Sequence, residues 1–209
     1  MKAKFLLIAA LTIITTAANA QIEGVEIGAE VGLGYIDGAD KRINGNLGCN
    51  FGLTITNGFA GGLFFTHLNT NCEEDGRLSH LFDDCEFLYR SNYTGLYFKK
   101  IFLENSSLQF SAFVKGGIGG TNYSNHVAKN ILQNEDDEGI LHEKADKCFV
   151  TVVEPGASID YDLGGIVLSL GATYRKYGNL KLYCDGYKIA SGNDLDGITV
   201  FFAVTLRTN

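Results

Sequence analysis

The sequence predicts an all-β fold: an eight-stranded antiparallel up-and-down transmembrane barrel with short periplasmic turns and long extracellular loops. Three observations carry this. The last segment, Gly197 to Arg207, sets Ile198, Val200, Phe202, Val204 and Leu206 against Thr199, Ala203, Thr205 and Arg207, with Phe201 the exception. A period of two with one greasy face is a strand that meets apolar surroundings on one side only. Seven earlier segments alternate in the same way, and the connections between the eight alternate strictly between long and short, as they do when one end of a barrel carries surface loops and the other tight turns.

The chain begins with a leader. Lys2 and Lys4 form a basic start, Phe5 to Ile14 an apolar run, and Ala18-Asn19-Ala20 a small-x-small site. This is the pattern of a signal peptide over residues 1–20, cut before Gln21. Its apolar run is too short for a membrane helix, which needs about 20 residues. Residues 21–209 make one domain's worth of chain, and no later window is apolar enough for a helical span. Alternation averages each segment to near-neutral hydropathy, so a barrel escapes a hydropathy scan. With 26 Gly, 10 Tyr and 14 Phe beside a single Pro and no Trp, the composition suits strands and turns better than helices.

In order, the predicted strands are Val25 to Ile36, Asn46 to Thr56, Gly58 to Leu68, Phe87 to Ile101, Ser107 to Gly119, Lys147 to Tyr161, Gly165 to Tyr177 and Gly197 to Arg207. Each is near the roughly 9 to 11 residues that a tilted strand needs to cross a bilayer, some with an overhang. Asn57-Gly58 has the chemistry of a two-residue type I′ hairpin turn; Leu103 to Ser106 and Asp162 to Gly164 are also short. The segments Asp37 to Gly45, Asn69 to Glu86, Gly120 to Asp146 and Gly178 to Asp196 are long and polar. With the short turns inside, both termini lie in the periplasm.

The faces indicate which side meets lipid. Val25, Ile27, Ala29, Val31, Leu33 and Tyr35 oppose Glu26, Gly28, Glu30, Gly32 and Gly34. Leu47, Cys49, Phe51, Leu53 and Ile55 oppose Gly48, Asn50, Gly52, Thr54 and Thr56, and Ile166, Leu168, Leu170, Ala172 and Tyr174 oppose Val167, Ser169, Gly171, Thr173 and Arg175. An eight-stranded interior has little room for the bulky set, so that set turns outward, and the same narrowness argues against a wide pore. A soluble exported barrel of the lipocalin kind is the structural alternative and needs the large residues inside. Two segments fit less well. Pro155 predicts a bulge in the sixth strand, because a closed barrel has no free edge for a missing donor. In the third strand, Phe59, Leu63 and Phe65 fall on the expected inner face. Tyr35, Tyr89, Tyr93, Tyr174 and Tyr177 near the loop ends, with Phe102 and Tyr161 near the turns, are candidate girdle aromatics.

The inward face carries candidate site residues. Glu26 and Arg207 are expected to pair near the periplasmic end; Lys115, Glu154 and Arg175, from three consecutive strands, are expected to form an upper cluster, with Glu30 also inside. A structural charge network is the first interpretation of these six residues, and a proton or ion path the sharper one. Of five cysteines, Cys72 and Cys85 flank one long loop, Cys148 and Cys184 share the outer rim, and Cys49 is left on the lipid face. Two disulfides are therefore expected, Cys72 with Cys85 and Cys148 with Cys184.

Acidic residues crowd the loops: Glu73, Glu74, Asp75, Asp83, Asp84 and Glu86, then Glu135, Asp136, Asp137, Glu138, Glu143 and Asp146. They are solvated faces first and a surface site for Ca²⁺ or Mg²⁺ second. Asn193 to Gly197 has part of a calcium-loop pattern without its spacing or terminal Glu. His67, His80, His126 and His142 show no metal spacing, so no metal ligand is assigned. No nucleophile elbow or phosphate loop is present, and the glycine runs lie in or beside strands, so neither catalytic residues nor a cofactor are expected. A net charge of −7 argues against nucleic acid.

On leader, alternation and loop pattern the chain resembles the small eight-stranded outer-membrane proteins, the OmpX-like and OmpA-barrel-like group of Gram-negative bacteria, over Gln21 to Asn209. It departs from them in ending Leu206-Arg207-Thr208-Asn209 rather than on an aromatic. The resemblance implies a monomeric, non-enzymatic barrel of the cell outer membrane, surrounded by lipid and lipopolysaccharide. Its role would be structural or adhesive, through loops that contact surface ligands. A narrow porin-like channel for ions or small solutes is the alternative function, and a lipid-modifying barrel enzyme lacks a visible catalytic set.

Overall fold

The computed structural model describes residues 21–36, 43–72, 87–105, 107–125, 147–184, 187–191 and 195–208. The leader, the acidic stretches 73–86 and 126–146, Cys85, His80, His126 and His142 lie outside the described residues. Eight strands close into one antiparallel barrel: β1 (Ile22–Ile36), β2 (Ile43–Ile55), β3 (Phe59–Cys72), β4 (Phe87–Asn105), β5 (Leu108–Asn125), β6 (Lys147–Asp162), β7 (Ile166–Gly178) and, last in the chain, β10 (Gly197–Thr208). Neighbours in sequence are neighbours in space, and β10 closes the cylinder on β1 with Glu26 opposite Arg207 and Val31 opposite Phe202. Between β7 and β10 the expected loop holds a small hairpin, β8 (Lys181–Cys184) paired with β9 (Tyr187–Ser191).

Local chemistry sets the ends of the strands. Asn57 and Gly58 both take left-handed backbone, with φ of 69° and 70°, as a type I′ turn requires. At the β6–β7 turn the Asp162 carboxylate accepts the Gly164 N–H at 2.8 Å, and Gly164 and Gly165 supply positive φ. Pro155 does not bulge β6. The pairs Val153 with Lys176 and Gly156 with Thr173 keep one register, and only the ladder positions of Glu154 and Pro155 are missing. A proline removes a single N–H, and here the sheet loses that bond on the β7 side without shifting. The bulge in this part of the wall lies instead between Ile101 and Leu103, where β4 meets β5.

Polarity is inverted relative to a water-soluble barrel. Leu33, Leu47, Phe51, Leu96, Leu170 and Phe202 face outward at 45–68% exposure, while Glu154 and Arg175 are 1% and 0% exposed inside. Burying charge while exposing Leu and Phe is favourable only where the exterior solvent is hydrocarbon. The third strand corrects the expectation for its faces: Ala60, Phe64, Thr66 and Leu68 are buried inside, and Leu63 and Phe65 point out. Cross-strand pairing forces this, since Leu63 lies opposite the outward Phe51 and opposite partners share a face. The tyrosine belt is also thinner than expected. Tyr35 and Tyr174 face out, but Tyr93 and Tyr177 are lumenal, 1% and 2% exposed.

Cys49 is a free thiol on the outer surface. Cys148 is likewise a free thiol and not half of a bridge to Cys184. Its sulfur is engaged by the start of the β7–β8 segment, 3.6 Å from the Asn179 carbonyl oxygen and 3.4 Å from the Lys181 nitrogen.

Candidate functional site

Among the described residues, charge gathers in the lumen. Even positions of β1 and odd positions of β5, β7 and β10 point inward, so Glu26, Glu30, Lys115, Arg175 and Arg207 enter it from four strands, and Glu154 enters from β6. They do not form a single cluster. They sort into levels along the axis.

At the outer level Arg175 pairs with Glu154, and both side chains are 1% exposed. The Tyr93 hydroxyl lies between them, donating to Glu154 at 2.7 Å and accepting from Arg175 Nε at 2.9 Å, and Arg175 Nη2 reaches Thr199 at 3.3 Å. Arg175, Glu154 and Tyr93 thus each have partners within the triad, the condition under which a buried pair is tolerated. Around this level packs an apolar cluster of Ile36, Val150, Val152, Tyr177, Leu180 and Leu195. Asp196 turns inward beside it and accepts the Tyr177 N–H at 2.7 Å, which ties the start of β10 to the end of β7; Asn193 and Asp194 of the partial calcium-loop pattern lie outside the described residues.

At mid-height Lys115 leaves its ladder neighbour Glu154 and meets Glu30, 2.6 and 2.7 Å from the two carboxylate oxygens. This corrects the expected upper cluster. Glu154 is already claimed by Arg175 and Tyr93, and the four-carbon stem of Lys is long enough to span the narrow lumen to β1. The ammonium also lies 5.7 to 5.8 Å from the ring centres of Phe64, Phe113 and Phe201, within cation–π range. Phe113 and Phe201 meet edge to face at 5.7 Å, which accounts for the one aromatic on the small face of β10.

The periplasmic level is looser. Arg207 stands 3.8 Å from Glu26 and 3.5 Å from Asp162. Glu26 accepts a short hydrogen bond from Tyr97, whose hydroxyl projects over Gly52; a Cβ there would come within 2.0 Å of it. Lys99 pairs with Asp160 at 2.6 Å, and Ser111 and Ser158 donate to the same carboxylate at 2.8 Å. A cavity of about 60 Å³ lies among Glu26, Glu30, Tyr97, Lys99, Lys115 and Arg207, room for a few waters.

Sequence reasoning missed Lys99, Asp160, Tyr93 and Tyr97 as site residues. The signal was available: Ser91, Tyr93, Tyr97 and Lys99 occupy one face of β4 at period two, and Ser158 and Asp160 one face of β6. What hid it was size, because Tyr on an inward face conflicts with the idea of a small-residue interior. The structure reconciles the two by setting glycines opposite the rings.

No family model matches this chain, and no curated protein does. Solved structures do. Neisserial surface protein A aligns over 91% of this chain and 99% of its own, with a TM-score of 0.61 at 9% identity. The chain has the fold of the small eight-stranded outer-membrane barrels. A second structure of this fold, the N-terminal β-barrel domain of Pseudomonas aeruginosa OprF, aligns over 90% of this chain and 98% of its own, with a TM-score of 0.50 at 11% identity. At such identities what is shared is the outer-membrane barrel fold.

Proposed function

We propose that this protein is a monomeric structural or surface-interaction barrel of the Gram-negative outer membrane, exported by the signal peptide over residues 1–20. On this reading it displays its acidic loops to surface ligands or divalent cations and has no enzymatic role. One observation carries this reading: the Arg175, Glu154 and Tyr93 network and the apolar cluster around it pack together, buried, inside the outer part of the lumen. Side chains packed this way block hydrated ions, which would have to displace a buried ion pair to pass.

The alternative is a narrow channel. It is favoured by the β2–β3 wall, where Asn44, Asn46 and Thr66 present buried polar atoms with no protein partner. Planar-bilayer recording of the purified barrel separates the two: the structural reading expects no steady openings, and a reproducible unitary conductance would replace it with the channel. Deleting residues 73–86 should leave the barrel folded but abolish surface attachment. Attachment equal to wild type would remove the role of that loop.

A further inference from the structure

The cavity in the periplasmic half of the lumen adjoins an ion pair that does not close. Arg207 Nη2 stands 3.8 Å from Glu26 Oε2, beyond hydrogen-bond length, and Nη1 stands 3.5 Å from Asp162. Arg207 Nε is buried with no hydrogen-bond partner among the described residues. The other Glu26 oxygen accepts from Tyr97. The lysines around the same space are matched, Lys115 to Glu30 and Lys99 to Asp160, each at 2.6 Å. The cavity of about 60 Å³ is therefore offered one guanidinium edge and one carboxylate oxygen side by side. A buried donor without a partner carries a desolvation penalty that a bound acceptor removes. Side-chain exposure rises from 3% at Glu26 to 10% at Arg207 and 24% at Asp162, so the space is reached from the periplasmic mouth.

We propose that this cavity binds a small α-amino acid in its zwitterionic form, of the size of glycine or alanine. The ligand carboxylate lies against Arg207 Nε and its ammonium against Glu26 Oε2, with the ligand dipole antiparallel to that of the open pair. Charge selects the class. Glu26 and Asp162 outnumber Arg207, which disfavours a simple anion, while Lys99, Lys115 and Arg207 surround the space and disfavour a simple cation. A molecule with both signs on one carbon answers both groups without adding net charge. Size selects the member, because such a space holds about five non-hydrogen atoms. The rest of the wall, Val167, Ala203, Phe113 and Phe201, is apolar. It accepts a hydrogen or a methyl as the side chain and leaves a third charged group without a partner.

The test is a titration of the full-length barrel in detergent micelles, labelled with ¹⁵N-arginine and followed at the Arg207 Nε resonance. Glycine should shift that resonance saturably, whereas acetate and methylammonium, which each carry half of the zwitterion, should bind at least about tenfold more weakly. Glu26→Gln should weaken glycine about tenfold and leave acetate no weaker than before, since the lost carboxylate holds only the ammonium. Ala203→Leu fills the cavity and should abolish the saturable shift. A linear response to glycine would mean that the cavity holds water only, and acetate binding as tightly as glycine would make it an anion site; either result overturns the proposal, as does saturable binding in Ala203→Leu. Heat-modifiable mobility on gels confirms that each variant is folded, and Glu26→Gln decides the matter if Ala203→Leu is not. The site lies below the Arg175 and Glu154 level, so its failure leaves the conductance result untouched.

Discussion

The outer and periplasmic halves of the lumen use the same residue types for different ends. Both hold a Glu–Arg pair next to a tyrosine hydroxyl. In the outer half Arg175 and Glu154 are each 1% exposed, and apolar side chains close around them. In the periplasmic half Arg207 is 10% exposed, its contacts to Glu26 and Asp162 are 3.8 and 3.5 Å long, and a cavity adjoins it. The difference shows that an ion pair in a barrel gains structural weight from what excludes water around it rather than from the pair itself.

That contrast orders the expected effects of mutation. Arg175→Met strands Glu154 without compensation and should cost about 3–5 kcal/mol of unfolding free energy in detergent, measured by urea titration. Adding Glu154→Gln should restore most of it. A double variant no better than the single would mean that the surrounding apolar packing, not the charge, carries the outer half. Lys115→Met frees Glu30 at mid-height, where ring contacts survive in part, and should cost about 1–3 kcal/mol by the same measurement. Arg207→Ala should fall within about 1 kcal/mol of wild type, because its partners keep other contacts and water reaches the mouth. A loss at position 207 as large as that at 175 would erase the distinction between the halves.

Much of this architecture was legible in the sequence because a barrel wall obeys a period of two. The alternation in β1, β2, β7 and β10 assigned faces that the structure reproduces, Phe201 included as an inward exception. Where alternation alone failed, pairing decided. Phe59, Leu63 and Phe65 outweigh the other face of β3 in bulk, yet Leu63 must share a side with Phe51 across the ladder. Position within the lumen was less legible than face. Lys115 and Glu154 are ladder neighbours, and nothing in their spacing reveals that Arg175 and Tyr93 saturate Glu154 and send Lys115 across to Glu30. Tyr93 and Tyr177 read as girdle residues because their height matches a belt; only the direction of the side chain separates a belt from a plug.

The account stands on polar groups facing inward and apolar groups facing hydrocarbon. Adjacent positions on β7 test this directly. In a cysteine-free background, nitroxide labels at Leu170→Cys and Ser169→Cys of the protein in lipid bilayers can be probed for collisions with oxygen, which partitions into lipid, and with a water-soluble nickel chelate. The expected result is strong oxygen relaxation at position 170 and little at 169. Strong oxygen relaxation at 169 with position 170 shielded would place the bulky face inside and contradict the membrane barrel.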